Sequence, residues 1–256
     1  MRPQQTSLER TSLLSCRRFA ASACHKLMTW PNDETWSAEK DQQLVTTEGG
    51  NRFTWVVDCG QLILPSGKLV ACDPFVFLQP SDNPHVLVPP GRYPVSVTMA
   101  DVSENLDRSH IREAYATVRI APGADAYRLA LPLARDGESR APSQDDTFIG
   151  FGVDAGTACF VDDEAVSRFM PADENWYETI FDNGRDDSWF AQMDDPNHVQ
   201  FGVANITLPL AQNSENIIII HSGWGDGAYP VIGSFDANDR LVAVHIDFFV
   251  VPPQDS

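Results

Sequence analysis

Apolar and polar residues alternate in short bursts along most of this chain, and turn residues punctuate the bursts at close intervals. Gln61-Leu-Ile-Leu64 and Lys68-Leu-Val-Ala-Cys72 flank Pro65-Ser-Gly67, which predicts a hairpin. Pro89-Pro-Gly91 introduces a strand over Tyr93–Met99, and two more are predicted over Ala114–Ile120 and Tyr127–Leu133. Thr147–Val153 and Thr157–Val161 read as another strand pair across Asp154-Ala-Gly156. Further strands are expected at Val199–Leu210, Asn216–His221, Val231–Phe235 and Leu241–Val251, the last two joined by the turn Asp236-Ala-Asn-Asp239.

The period-2 pattern breaks between Asp162 and Arg185. Asp162–Met170 and Asn175–Phe181 have acidic starts and apolar residues at helical spacing, so two short helices are expected there, followed by acidic loops over 182–198. Many short strands with few helices predict a mostly β protein, an antiparallel β-sandwich with a small helical insert at 162–185. We read residues 31–256 as one domain with a possible sub-boundary near the solvated stretch 135–146. The last strand fixes faces: Val242, Val244, Ile246, Phe248 and Val250 alternate onto the core side. Leu241, Ala243, His245, Asp247 and Phe249 share the other face, where His245 and Asp247 become side-by-side neighbours.

Charge sharpens this picture. The net charge is −18 over 256 residues, and residues 136–256 carry all of it, with four Arg and no Lys against 22 Asp and Glu. Phosphate binding needs Lys and Arg clusters, so nucleic acid and anionic membrane are not expected as partners. No apolar run approaches a membrane span. Residues 1–30 read as a flexible basic leader. Arg2, Arg10, Arg17, Arg18 and Lys26 face Glu9 alone over the first 26 positions, a composition shared with organelle transit peptides. The five cysteines show no CxxC and no paired metal spacing. In the expected hairpin Cys59 and Cys72 lie diagonally on one face, where a disulfide is conceivable. The odd total and the lack of an export signal favour free buried thiols and a cytoplasmic protein.

The densest chemistry is His221-Ser-Gly-Trp-Gly-Asp-Gly-Ala-Tyr-Pro230. Trp224 and Asp226 stand among three glycines, a common way to present a binding group on a tight loop. With His245 and Asp247 on the last strand, His221 and Asp226 complete a set of imidazoles and carboxylates. That set can bind a divalent metal or, through Asp226, His245 and Asp247, run acid–base chemistry. No spacing of the HxH, HExxH, P-loop or GxGxxG type supports either use, and otherwise no cofactor is expected. Each residue also has a structural reading as a satisfied sheet histidine or a turn carboxylate. The acidic stretch interleaves Trp176, Tyr177, Phe181, Trp189 and Phe190 with Asp186, Asp187, Asp194 and Asp195, a composition suited to docking a basic protein.

The segments Leu64-Pro-Ser-Gly-Lys-Leu-Val-Ala-Cys-Asp-Pro74, Val88-Pro-Pro-Gly-Arg-Tyr-Pro-Val95, Val153-Asp-Ala-Gly-Thr157 and Gly223-Trp-Gly-Asp-Gly-Ala-Tyr-Pro230 resemble a bacterial family known only as a domain of unknown function. The resemblance spans roughly residues 50–251. It implies a shared fold and marks Asp73, Asp154, Asp226 and Asp247 as family-type carboxylates, and it implies no activity. Two functions are expected from the whole reading. The first is an acidic cytosolic binding protein, an immunity-type inhibitor of a cognate basic toxin, with Trp176, Tyr177, Asp186, Asp187, Trp189, Asp194, Asp195 and Trp224 as contact residues. The second is a metal-assisted hydrolase or small-ligand binder with its site at the glycine loop 223–230.

Overall fold

A computed structural model describes residues 38–138, 149–172 and 175–251. The basic leader and most of the proposed sub-boundary at 135–146 therefore lie outside the described residues. The fold is mostly β and sandwich-like, as the alternating pattern predicts. One sheet has seven antiparallel strands: β1 (Gln43–Thr47), β2 (Gly50–Leu64), β5 (Gly91–Asp101), β6 (Ile111–Arg119), β14 (Leu241–Asp247), β13 (Val231–Phe235) and β7 (Tyr127–Ala130), in that spatial order. A second sheet has the order β10 (Val203–Thr207), β11 (Asn216–His221), β9 (Thr157–Asp162), β3 (Lys68–Cys72) and β4 (His85–Leu87). A short ribbon pairs β12 (Gly227–Tyr229) with β8 (Phe151–Val153). Both large sheets join strands from before and after the 139–148 stretch, through β6 and β7 against β14 and β13 in one and β3 against β9 in the other.

The five-stranded sheet is a middle layer. Ile218, Ile220, Ala158 and Phe160 join the core shared with the large sheet, while Ile217, Ile219, Cys159 and Val161 join a second core. That second core lies under α1 (Asp163–Phe169), a single π-helical turn (Tyr177–Phe181) and α2 (Trp189–Asp194). Burial on both faces explains why Asn216-Ile-Ile-Ile-Ile220 carries no alternation. The helical insert extends past the expected 162–185, because Ser188 caps α2 through Ala191 N within what reads as an acidic loop.

Two expected hairpins are instead corners between sheets. Pro65-Ser-Gly67 sends the chain from β2 in the large sheet to β3 in the middle one. Asp162 holds this corner, accepting from Ser66 N at 3.0 Å and Gly67 N at 3.1 Å, and it also caps α1 through Ala165 N. Cys59 and Cys72 thus lie in different sheets and cannot share a face. Cys72 stands directly opposite Cys159, with the two Sγ atoms 3.8 Å apart, and all three described cysteines are free and buried. The second corner is Asp154-Ala-Gly156, since β8 pairs with the glycine-loop strand and β9 with β11 and β3. The last strand keeps its expected core face: Val242, Val244, Ile246, Phe248 and Val250 are all buried. It stops earlier than expected, at Asp247, because Asp247 Oδ1 accepts from Phe249 N at 2.8 Å and Phe249 adopts a positive φ of 57°. The Asp236–Asp239 turn forms as predicted, and Arg240 pairs with Asp236.

Candidate functional site: a cleft at the glycine loop

The glycine loop is bound tightly to the Asp154–Gly156 corner. Ser222 N donates to Gly156 O at 2.9 Å, Gly156 N donates to Asp226 Oδ1 at 3.0 Å, and Ser222 Oγ donates to Gly225 O at 2.7 Å. Tyr229 reaches back four residues to donate to Gly225 O, as Tyr93 does to Pro89 O. In both Tyr-Pro turns the phenol straps the loop that precedes it. Gly225 adopts φ 99°, a region a β-branched residue resists. Asp73 secures the corner from below, accepting from Asp154 N, Ala155 N, Phe75 N and Thr157 Oγ1 at 2.7–3.1 Å. Asp73 is filled by three backbone N–H groups and one hydroxyl, and Asp226 Oδ1 by one backbone N–H, which is architecture rather than chemistry.

Above this frame lies an open cleft of about 460 Å³. Its lining includes Arg112, Asp194, His221 and Trp224, with Phe190 and Met193 from α2. Trp224 is half exposed, and the Arg112 guanidinium lies over its ring at 5.7 Å. Glu113 is the polar group behind the cleft. β6 bulges against β5 between Thr98 and Met99, and bulges re-aim the side chains beside them. Gly202 keeps Glu113 and His221 together: a Cβ there would lie 2.6 Å from both Glu113 Oε1 and His221 Nδ1. Glu113 is only 5 % exposed, and among the described residues no side chain donates a hydrogen bond to it. Burial pushes its carboxyl up to about 8, although the Arg112 charge pulls the other way. Burial also lowers His221, with Asp194 opposing and Arg112 assisting. Around neutral pH the pair is a carboxylic acid beside an uncharged imidazole.

The expected site residues are thus divided. His221, Asp194 and Trp224 meet at the cleft, and Asp226 braces the loop beneath it. His245 is elsewhere, inside the large sheet. Its Nδ1 bonds Thr117 Oγ1 at 2.8 Å and its Nε2 bonds Ser234 Oγ at 2.9 Å. Its burial lowers the imidazole to about 3. The structure does not bring His221, Asp226, His245 and Asp247 into one cluster. Among the described residues no group of three or more His, Cys, Asp or Glu is arranged to hold a metal ion. Trp176 and Trp189 are buried in the second core, packed around Phe181 at ring distances of 6.2 and 4.9 Å. Tyr177, Asp186, Asp187 and Asp195 remain exposed. Arg112 and Glu113 escaped the sequence reading because they precede the apolar run of β6 and look like a solvated strand edge.

A family model for DUF4241, a protein of unknown function, matches residues 62–246. The chain belongs to the DUF4241 family. The match runs from the end of β2 nearly to the end of β14, so it takes in both Tyr-Pro turns and every cleft residue named above. No curated protein matches this DUF4241 chain, and no solved structure does. No helix among the described residues is long and apolar enough to cross a membrane.

Proposed function

We propose that this DUF4241 protein is a small-ligand binder whose site is the cleft at the glycine loop. The observation that supports it is convergence: an exposed Trp224, an Arg, an Asp and a His share one concave surface above a buried acid with a raised pKa. The volume suits a metabolite, and the braced loop is preorganised to receive one. Metal-assisted hydrolysis draws no support from these residues, since no group of three or more His, Cys, Asp or Glu among the described residues is arranged to hold a metal ion. Thermal melts with a metabolite panel of sugars, nucleosides, carboxylates, amines and amino acids test the proposal. At least one compound should raise Tm in a concentration-dependent way, and Trp224→Ala should abolish the rise. A panel without any such compound overturns it.

A second reading, an immunity-type inhibitor of a basic toxin in the cytoplasm, is favoured by the exposed carboxylates Asp186, Asp187, Asp194 and Asp195 beside exposed Tyr177. With Trp176 and Trp189 in the core, that surface keeps its charge and one aromatic anchor. Recovery of a salt-sensitive complex with a basic protein, weakened by charge reversal at Asp186 and Asp187, would place this reading first.

A further inference from the structure

Resting on the reading of the cleft as a ligand site, we propose that it recognises a zwitterion, a free α-amino acid with an apolar side chain. The first ground is a pair of unused opposite charges. Arg112 and Asp194 line the same cleft, yet neither forms an ion pair, with each other or with any other group among the described residues. Arg112 lines the cleft and its buried Nε has no hydrogen-bond partner among the described residues, so no neighbour occupies the guanidinium before a carboxylate arrives. Asp194 is exposed at the end of α2, positioned to accept an ammonium. His221 stands within the electrostatic reach of both.

The second ground is the rest of the lining. Phe190, Met193 and half-exposed Trp224 line the same cleft and offer apolar surface for a side chain. An anion alone leaves Asp194 facing a like charge, and a cation alone leaves Arg112 doing so. Only a ligand carrying both satisfies both walls. Glu113 does not compete for Arg112, because its buried carboxyl stays protonated around neutral pH. The cleft's open form suits a small molecule carrying both charges on one unit. A protein terminus carries only one of them, the ammonium at one end or the carboxylate at the other.

Isothermal titration with three probes tests this. L-phenylalanine carries both charges, N-acetyl-L-phenylalanine keeps the carboxylate alone, and L-phenylalaninamide keeps the ammonium alone. L-phenylalanine should bind at least about tenfold more tightly than either derivative, the effect of one charge-assisted hydrogen bond. In Arg112→Gln its affinity should fall to that of the amide, and in Asp194→Asn to that of the N-acetyl compound. Asp194 is exposed and Arg112 is partly buried, and unchanged melting would show that the variants remain folded. Equal binding of all three probes, or tighter binding of a derivative, overturns zwitterion recognition and leaves the cleft as a ligand site. Tighter binding of the amide points to a chain N-terminus, and tighter binding of the N-acetyl compound to a C-terminus. If none of the three binds, the amino-acid proposal falls, while the metabolite panel judges the cleft separately.

Discussion

Asp73 and Glu113 are both nearly shut off from solvent, and they do opposite things. Asp73 accepts four hydrogen bonds from two turns and a threonine, so burial adds rigidity to the corner that carries the glycine loop. Among the described residues no side chain donates to Glu113, so burial instead keeps it protonated and ready to titrate. A buried acid with its acceptor sites filled builds the site's frame. A buried acid without them supplies a group whose charge depends on conditions.

The strongest way to break this contrast is Asp73→Ala. Removing the acceptor leaves several buried donors unsatisfied, and we expect a loss of about 3–5 kcal/mol in urea unfolding. A variant that melts like the parent would show that the corner does not depend on the carboxylate. Gly225→Val is next, at roughly 1–3 kcal/mol, because the strapped loop holds φ 99° there. Gly227, which has no positive φ, should tolerate the same change better.

Glu113→Gln sharpens the comparison by reversing sign. The native carboxyl holds its proton up to about pH 8, whereas the unfolded chain releases it near its ordinary value. Parent stability should therefore be fully present below the unfolded pKa and fall as pH rises toward 8, by up to about 1.4 kcal/mol per pH unit. The glutamine variant should lack that slope and exceed the parent at pH 8, measured by urea unfolding between pH 5 and 8.5. A parent–variant difference that does not change with pH would show that Glu113 is charged in the native state. The smallest effect is expected from Asp226→Asn. Its remaining carbonyl oxygen still accepts from Gly156 N, so about 1 kcal/mol or less is lost.

The sequence made strand existence legible because alternation is local. It misled about partners because Pro65-Ser-Gly67 and Asp154-Ala-Gly156 carry hairpin turn residues, yet act as corners whose geometry is set by Asp162 and Asp73 far away in the chain. For the site, the glycine loop and Trp224 were visible as residues a turn does not need, and His221 and Asp194 were among the expected positions. Glu113 was not visible, since a bulge in β6 and the gap left by Gly202 create its setting. His245 looked like a site residue because a sheet histidine satisfied by Thr117 and Ser234 has the same local sequence as a reactive one.

The middle sheet also has a consequence for how the protein is made. β3 is synthesised early, but its neighbour β9 comes much later, and β11 and β10 later still. The large sheet waits similarly, because β14 and β13 extend it beyond β6. A growing chain therefore carries open, apolar strand edges until β14 has been made. A chain interrupted before β14 leaves both β6 and β13 with one edge unpaired, and unpaired strand edges are templates for aggregation.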